Sequence, residues 1–570
     1  MSQPIIEFKD FGFQYNAQAE PTLHHINLSI YPGEKVLIAG PSGSGKSTLA
    51  SCINGLVPFS YPGTTTGSLT VAGIDAPHSS LFELSKHVGT VLQDPDGQFI
   101  GLTVAEDIAF ALENDQVPQA EMKKIVDEVA GLVDIQDRLT HAPHELSGGQ
   151  KQRVSLAGVM VDDVEILLFD EPLANLDPAT GKQTIELIEA IQKRTGAAVL
   201  IIEHRLEDVL WRSVDRIILV EEGKIIADTT PDELLASNLL IENGIREPLY
   251  LTALKYAGVS VTPEKKPAHI DSICLNEADR QMVCDWFANT TPAVQQEQAE
   301  VLLEVQDVTF GYNDGQTNLE HVSFSVRKGE MLSIVGRNGA GKSTLSKLIC
   351  GFETPNSGRI LLNGRDLVGD TIKERASRIG YVMQNPNQMI SKPMIWDEVE
   401  LGLLQTDLTP EERARRVEET LKICGLYPFR KWPVSALSFG QKKRVTIASV
   451  LVMNPEIIIL DEPTAGQDFR HYTDIMEFLR SLNRRGVTVM MITHDMHLMQ
   501  EYTNRALVFS NKRLLHDGTA VEAITMPELV KAASLKETSL FALAQRCGIE
   551  PPQAFVQRFI DYDRQVREHE

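Results

Sequence analysis

The sequence predicts an α/β protein built from two tandem copies of one domain, each a mainly parallel sheet with helices and a phosphate-binding loop. Three observations predict it. Most of the 570-residue chain repeats itself at a nearly constant offset. Each copy alternates short, uniformly apolar runs with helical ones, the pattern of strands buried on both faces of a parallel sheet. Each copy also carries one full G-x-x-x-x-G-K-S stretch between an apolar run and a helical run.

The repeat is the first element to justify, because a fixed internal period decides the architecture. IIEFKDFGFQYN near the start returns as LLEVQDVTFGYN from Leu302, and GPSGSGKSTLASCINGL as GRNGAGKSTLSKLICGF. ELSGGQKQRVSLAGVMV returns as ALSFGQKKRVTIASVLV, and ILLFDEPLANLD as IIILDEPTAGQD. The offset is 296 at Lys46/Lys342, 291 at Glu171/Glu462 and 290 at His204/His494. The tails IREPLYLTALKYAGV, from Ile245, and LKETSLFALAQRCGI, from Leu535, also match at offset 290. The reading is a first domain over 1–260 and a second over 301–570, each with a C-terminal tail, joined by a linker over 261–300. The linker holds three Lys/Arg against seven Asp/Glu and predicts a short helix near Asp279–Trp286. As flexible chain its roughly 40 residues would span about 35 Å, enough for two equal domains to face each other.

Within each copy, VLIAG and LSIVG read as strands ending in a Gly-rich turn, followed by the helical KSTLASCI and KSTLSKLI. EILLFDE and EIIILDE are apolar runs ending in carboxylates, and AAVLIIEH and VTVMMITH end in a histidine. Each delivers a polar residue at the C-terminal end of a strand, the edge where open α/β sheets bind ligands.

Composition narrows the function classes. Hydrophobic residues make up 42% and charged residues 23%, with 39 Gly and 28 Pro, which excludes disordered and collagenous chains. The net charge of −24 would repel phosphate backbones and anionic membrane surfaces, so no nucleic acid partner is expected. No run of about 18 uncharged apolar residues is present to span a bilayer. The opening MSQPIIEFKDF lacks the basic segment and apolar core of a signal peptide. The six cysteines show no metal-ligand spacing and read as reduced thiols.

The phosphate loops carry the chemistry. Gly40, Pro41, Ser42, Gly43, Ser44, Gly45, Lys46, Ser47 and Thr48 form one. Gly336, Arg337, Asn338, Gly339, Ala340, Gly341, Lys342, Ser343 and Thr344 form the other. Glycines let backbone N–H groups wrap a phosphate, and the following helix points its positive end at the same place. The lysine reaches the β- and γ-phosphates and the serine hydroxyl can ligate Mg²⁺. These are nucleoside triphosphate sites. Asp170 and Glu171, with Asp461 and Glu462, follow some 120 residues later at strand ends. There the aspartate can hold Mg²⁺ and the glutamate can polarise an attacking water. His204 and His494 recur at 33 and 32 residues from those glutamates, which favours a role at the same edge over a purely structural one.

The order of phosphate loop, Gln93 or Gln384, LSGGQ or LSFGQ, Asp-Glu and His resembles the ATPase of ABC transporters, twice over. The resemblance implies a helical signature subdomain in each copy and a head-to-tail pairing of the two halves over two Mg·ATP. One site would combine Lys46, Ser47, Asp170, Glu171 and His204 with Ser438 and Gly440. The other would combine Lys342, Ser343, Asp461, Glu462 and His494 with Ser147, Gly148 and Gly149. Gln93 and Gln384 would join Ser47, Asp170, Ser343 and Asp461 around Mg²⁺ and act in catalysis, and Tyr15 and Tyr312 match the aromatic that stacks on adenine. Two departures stand out. Phe439 replaces the first signature glycine while Ser438 and Gly440 are kept, which predicts a working Lys46 site slowed by crowding, and Glu203-His204-Arg205 stands where the second copy has Thr493-His494-Asp495.

Three classes within the resemblance compete: the ATPase of an importer with separate membrane subunits, a twin-ATPase translation factor, and a DNA-repair or condensation ATPase. The last usually carries coiled coils or zinc modules, which are absent, and the translation factor has a long basic linker and an RNA partner, against an acidic linker and a charge of −24 here. VLQDPDGQFIGLTVAEDIAF and VMQNPNQMISKPMIWDEVEL resemble the Q-x-P-x-x-Q stretch of energy-coupling-factor importers. That family implies docking beside this stretch of arginine-bearing helices from an integral membrane scaffold. It also implies a separate substrate-binding membrane subunit and a peripheral place at the cytoplasmic face of the cell membrane. Asp94, Asp96, Glu106, Asp107, Asp397 and Glu398 are candidate partners for those arginines. Fusion of both ATPases with LSFGQ is most like the subunit for thiamine or thiamine-precursor uptake. A transition metal as cargo, and a binding-protein-dependent sugar or peptide importer, stay open as alternatives.

Overall fold

The computed structural model describes residues 3–93, 97–162, 164–174, 176–291, 299–312 and 317–569. The chain divides into two compact units, the first built on Met1–Trp286 and the second on Phe287–Gln467 with His471–Glu570.

In the first unit the strands are β1 (Ile6–Tyr15), β2 (Leu23–Ile30), β3 (Lys35–Ala39), β4 (Gly63–Val71), β5 (Ile74–Asp75), β6 (Val88–Val91), β7 (Ile166–Asp170), β8 (Ala198–Ile202), β9 (Arg216–Glu221) and β10 (Lys224–Thr229). They form an antiparallel sheet in the order β2-β1-β4-β5 and a larger sheet in the order β10-β9-β3-β8-β7-β6. In the larger sheet β9, β3, β8, β7 and β6 run parallel, and only β10 is antiparallel. Burial explains the uniform apolarity of the parallel strands: every residue of β3 and β8 is buried, as are Ile166–Phe169 of β7. The antiparallel strand β2 instead alternates, with Leu23, Ile26, Leu28 and Ile30 inward. One core joins Phe8, Phe11 and Phe13 of β1 to Ile38, Leu168 and Leu200 of the larger sheet and to Leu49 and Ile53 of the helix Lys46–Ile53.

The second unit repeats this plan. Its strands are β11 (Val301–Gly311), β12 (Thr317–Arg327), β13 (Met331–Gly336), β14 (Ser357–Leu362), β15 (Arg365–Asp366), β16 (Ile379–Val382), β17 (Ile457–Asp461), β18 (Thr488–Ile492), β19 (Arg505–Ser510) and β20 (Arg513–Thr519). The sheet orders β12-β11-β14-β15 and β20-β19-β13-β18-β17-β16 are those of the first unit, strand for strand. In both, the strand before the phosphate loop lies beside the strand that ends in histidine, and the Asp-Glu strand is the next neighbour. Parallel pairing brings those C-terminal ends to one edge.

Between β6 and β7 the first unit inserts the helices Val104–Asn114, Gln119–Leu132 and Gly148–Met160. The second inserts Ile395–Glu400, Pro410–Ile423 and Phe439–Leu451 between β16 and β17. Among the described residues no helix is long and apolar enough to cross a membrane.

The segment expected to be a flexible linker is instead folded over much of its length. Tyr250 donates its hydroxyl to the Pro267 carbonyl at 2.5 Å, the Ala268 N–H donates to Asp232 at 2.8 Å, and Lys265 pairs with Asp279 at 2.7 Å. Ile273, Leu275 and Val283 are buried, apolar anchors that the charge count of the segment concealed. The helix expected near Asp279–Trp286 runs over Glu277–Asn289. The second tail adds a helix, Pro552–His569, that buries Phe555, Val556, Phe559 and Ile560. Its Arg564 donates to the carbonyls of Glu501 at 2.7 Å, Thr503 at 3.0 Å and Gln500 at 3.1 Å, satisfying the C-terminal end of the helix Met496–Tyr502 that follows His494.

Candidate functional site

Each unit builds its phosphate loop in the same way. The glycine before the lysine sits in the left-handed region, at φ 103° for Gly45 and 100° for Gly341, and caps the helix that follows. A Cβ there would lie 2.8 Å from Leu23 Cδ2 in the first unit and 2.5 Å from Leu319 Cδ2 in the second, so the turn needs glycine on two grounds. Gly43 and Gly339, by contrast, face open space with no protein atom within 4 Å of an added Cβ, leaving a backbone-lined cradle.

Lys46 and Lys342 are buried, and each ammonium donates to carbonyls of its own loop. Lys46 reaches Gly40 at 2.8 Å and Pro41 at 2.7 Å; Lys342 reaches Gly336 at 2.7 Å and Arg337 at 3.0 Å. Burial pulls the Lys46 ammonium down to about 8, against the opposing pull of Glu171 and Asp170. Asp170 moves the other way, to about 6, through burial and the neighbouring Glu171, while the Ser47 hydroxyl bonded to it opposes the rise. Asp461 is likewise raised by burial and opposed by hydroxyl bonds from Tyr381 and Ser343. A serine hydroxyl against a carboxylate is an all-oxygen donor pair, the chemistry that Mg²⁺ prefers. Loop, lysine and oxygen pair together fit a magnesium-bound triphosphate.

Glu171 and Glu462 begin the turns after β7 and β17 with φ of 49° and 44°, left-handed values that cost a non-glycine residue about 1–2 kcal/mol. The same backbone bond holds both: the Glu171 N–H donates to Ile202 O and the Glu462 N–H to Ile492 O, each at 2.9 Å. Around the carboxylates the copies differ. Glu171 lies between Gln93 Nε2 at 2.5 Å and His204 Nε2 at 3.0 Å, so glutamine, glutamate and histidine form one chain. Glu462 accepts from the His494 N–H at 3.4 Å and the Thr493 hydroxyl at 3.5 Å. The His494 ring nitrogen lies 3.5 Å from Glu462 Oε1, an atom that is buried and accepts no hydrogen bond. Burial pushes Glu462 up to about 8, with Lys342 opposing and Asp461 adding to the rise.

Tyr15 donates or accepts at Thr48 Oγ1, 3.0 Å away, and packs edge-on against Phe13, which fixes its ring beside the first loop. Tyr312 packs edge-on against Phe310 and is 38% exposed. The signature serines have a local role that the S-x-x-Q spacing would have revealed. Ser147 and Ser438 each form a capping box, donating N–H to Gln150 or Gln441 at 2.9 and 3.0 Å and accepting the returning N–H at 3.4 and 3.3 Å. Gly148, Gly149 and Gly440 therefore lie in the first turn of a 13-residue helix, and Phe439, 43% exposed, begins the second one.

The acids expected to receive arginines are mostly committed elsewhere. Glu106 closes a capping box with Thr103, Asp107 accepts the N–H groups of Ile100 and Gly101, and Glu398 is buried on those of Ser391 and Lys392. Asp397 is exposed, and Asp94 and Asp96 lie outside the described residues. The Q-x-P-x-x-Q spacing has a structural use as well. Gln98 bridges its own loop, accepting from the Leu92 N–H at 3.1 Å and donating to Thr90 O at 3.0 Å.

Of three further residues near the carboxylates, Tyr381 and Lys443 escaped the motif reading, and Glu203 stood out there only as a departure without a role. Glu203, 3% exposed, accepts the N–H groups of Leu173, His204 and Arg205. Tyr381 donates to Asp461 at 3.0 Å, and the buried Lys443 donates to the carbonyls of Met383 and Gln384. All three sit where the two copies differ in sequence, and that difference was the available signal.

A family profile described as ABC transporter matches residues 23–174 and 319–465, and one described as ATP-binding cassette cobalt transporter matches 237–310. An ABC transporter ATP-binding protein of Enterococcus faecalis is 60% identical, with 100% of each chain covered. One of Clostridium perfringens is 60% identical over 99% of each chain. A solved C. perfringens structure described as cbiO1, part of the ABC transporter complex cbiONQ, is 33% identical. The match covers 41% of this chain and 93% of that one, with a TM-score of 0.38. This chain binds ATP and is an ATPase: it belongs to the ABC transporter family, as an ATP-binding protein with two fused ATPase domains.

Proposed function

We propose that the chain is the ATP-hydrolysing motor of an energy-coupling-factor importer, seated peripherally at the cytoplasmic face of the cell membrane on an integral scaffold subunit. The observation that carries the hydrolytic reading is that both halves keep a complete set: a phosphate-loop lysine, a serine–aspartate oxygen pair, and a glutamate beside a histidine. Lys46 and Lys342 exchange their loop carbonyls for the β- and γ-phosphate oxygens. Ser47, Asp170 and Gln93 in one half, with Ser343, Asp461 and Gln384 in the other, hold Mg²⁺, which supplies neutralising charge to the phosphates. Glu171 and Glu462 take the proton of the attacking water, and His204 and His494 fix the orientation of those carboxylates. Tyr15 and Tyr312 take the adenine. Each nucleotide is completed by the signature of the other copy, Ser438 and Gly440 for the Lys46 site, and Ser147, Gly148 and Gly149 for the Lys342 site.

The importer reading is supported by exposed apolar side chains next to the glutamine stretch, Ile100 at 66% and Leu102 at 82% exposed, which suit an apolar helix of a membrane partner. The match of residues 237–310 to a cobalt-transporter family favours a transition metal as cargo, while the fused halves with LSFGQ resemble thiamine systems. Copurification with detergent-solubilised membrane proteins tests the reading. Recovery of a membrane scaffold and its substrate-binding subunit is expected, and uptake of labelled Co²⁺ or thiamine by vesicles holding that complex then identifies the cargo. Recovery of ribosomes in place of membrane proteins would refute it.

A further inference from the structure

Lys443 lies in the helix Phe439–Leu451 and is 1% exposed. Its ammonium donates to the carbonyl oxygens of Met383 and Gln384, both at 2.8 Å, in the loop that leaves β16. Among the described residues no carboxylate pairs with it within 4.0 Å; the charges that act on it are Asp461 and Glu462, at the end of β17. A buried ammonium without a paired carboxylate is costly to keep, so a group that only fills space would more easily be apolar. At offset 291 the first half carries Gln152, uncharged, in its place.

We propose that Lys443 is a positioning residue of the second ATP site: from the helix that begins at the signature it grips the backbone of Gln384 and sets that side chain against the Asp461–Glu462 pair. Two donated bonds to successive carbonyls hold the two peptide planes that flank the Gln384 Cα, and so tie the backbone of the glutamine to the helix. Asp461 and Glu462, at the end of β17, also act on the charge of the gripping group. The second site thereby has a rigid link between signature helix and glutamine loop that is built around a cation. The inference rests on the reading of Gln384 and Glu462 as parts of a hydrolytic site.

The test uses the full chain in a Glu171→Gln background, so that hydrolysis reports the second site. Lys443→Gln, which copies the first half, is expected to lower kcat about tenfold, to leave the KM for ATP within about twofold, and to raise the Mg²⁺ concentration giving half the maximal rate. Lys443→Arg, which keeps charge and donors, is expected to recover most of that loss. Hydrogen exchange over residues 383–389 is expected to rise in Lys443→Gln and not in Lys443→Arg, with the rest of the second unit unchanged. An unchanged kcat in Lys443→Gln overturns the proposal, as does an equal loss in both variants. Should Glu171→Gln alone lack all activity while Glu462→Gln retains it, hydrolysis at the second site is refuted. Unaltered exchange at 383–389 would then overturn the grip on its own.

Discussion

Glu203 accepts the backbone N–H of Leu173 at 3.2 Å from a side chain that is 3% exposed, and Arg205 donates to the carbonyl of the same Leu173. One residue of the turn after Asp170–Glu171 is thus held at both its polar groups by the two residues that flank His204. Burial raises the Glu203 carboxyl, while Arg205 opposes the rise. The second half does this differently: Thr493 accepts from the Asp495 N–H at 2.9 Å, and Asp495 caps the helix that follows through His497 and Leu498. The exchange of Glu-His-Arg for Thr-His-Asp therefore trades a clamp on the Leu173 backbone for a turn in which Thr493 and Asp495 bond each other and the helix that follows. Glu203→Thr leaves buried N–H groups without an acceptor and is expected to cost about 1–3 kcal/mol. It is also expected to slow hydrolysis in a Glu462→Gln chain, because His204 rides on the clamp. A variant with unaltered denaturant midpoint and unaltered rate would show that the clamp has no such role.

Removing either candidate base should nearly silence its own site. Glu171→Gln keeps a side chain that can still meet Gln93 and His204 but cannot take a proton, and Glu462→Gln does the same opposite His494. Each change is expected to lower the rate of its site by about 10²–10⁴-fold, and the double variant should hydrolyse no ATP above background. Single-turnover rates measure this directly. If the Lys46 site is crowded by Phe439, the chain that keeps Glu171 alone will be the slower of the two single variants. Equal rates would refute that asymmetry.

Much of the fold was legible in the sequence alone. The helix after the first phosphate loop begins and ends where KSTLASCI does, and the apolar runs before Asp170, Glu203, Asp461 and Thr493 are strands of the larger sheets. Motifs and periodicity are local signals, and these elements are set locally. The folding of 261–289 was hidden because its anchors, Ile273, Leu275 and Val283, are spaced irregularly among charges and find their partners only in three dimensions. Lys443 and Tyr381 were hidden for a related reason. Each reads as an ordinary residue of a helix or strand, and only the fold brings it to Gln384 or Asp461.

The raised Glu462 carboxyl gives the nucleotide-free chain a contribution to stability that falls as pH rises. From its ordinary value of 4.5 up to about 8, the folded carboxyl keeps its proton while the unfolded one has lost it, so unfolding releases a proton. Within that window the group withdraws up to about 1.4 kcal/mol of stability per pH unit. Glu462→Gln removes the titration. The difference in Tm between the variant and the parent should therefore grow in favour of the variant between pH 5 and pH 8. A difference that stays constant across that range would place the carboxyl at its ordinary value.

Thiol labelling reads the packing of both phosphate-loop helices. Cys52 lies in Lys46–Ile53 and Cys350 ends Lys342–Cys350, at 1% and 5% exposure; Cys424 follows Pro410–Ile423 at 0%. Burial raises all three thiols, Cys350 and Cys424 up to about 12. At pH 8 that leaves about one thiolate in ten thousand, besides denying the reagent access. Cys274 is exposed, and Cys284 and Cys547 are half-buried. The native chain should label quickly at Cys274, more slowly at Cys284 and Cys547, and at the other three only after unfolding. Because Cys52 and Cys350 belong to different halves, the denaturant concentration that releases each reports the opening of its own phosphate loop. Coincident release would mean that the two halves unfold as one cooperative unit, separate release that each core stands alone, and rapid labelling of Cys350 in the native chain would contradict the packing of its helix.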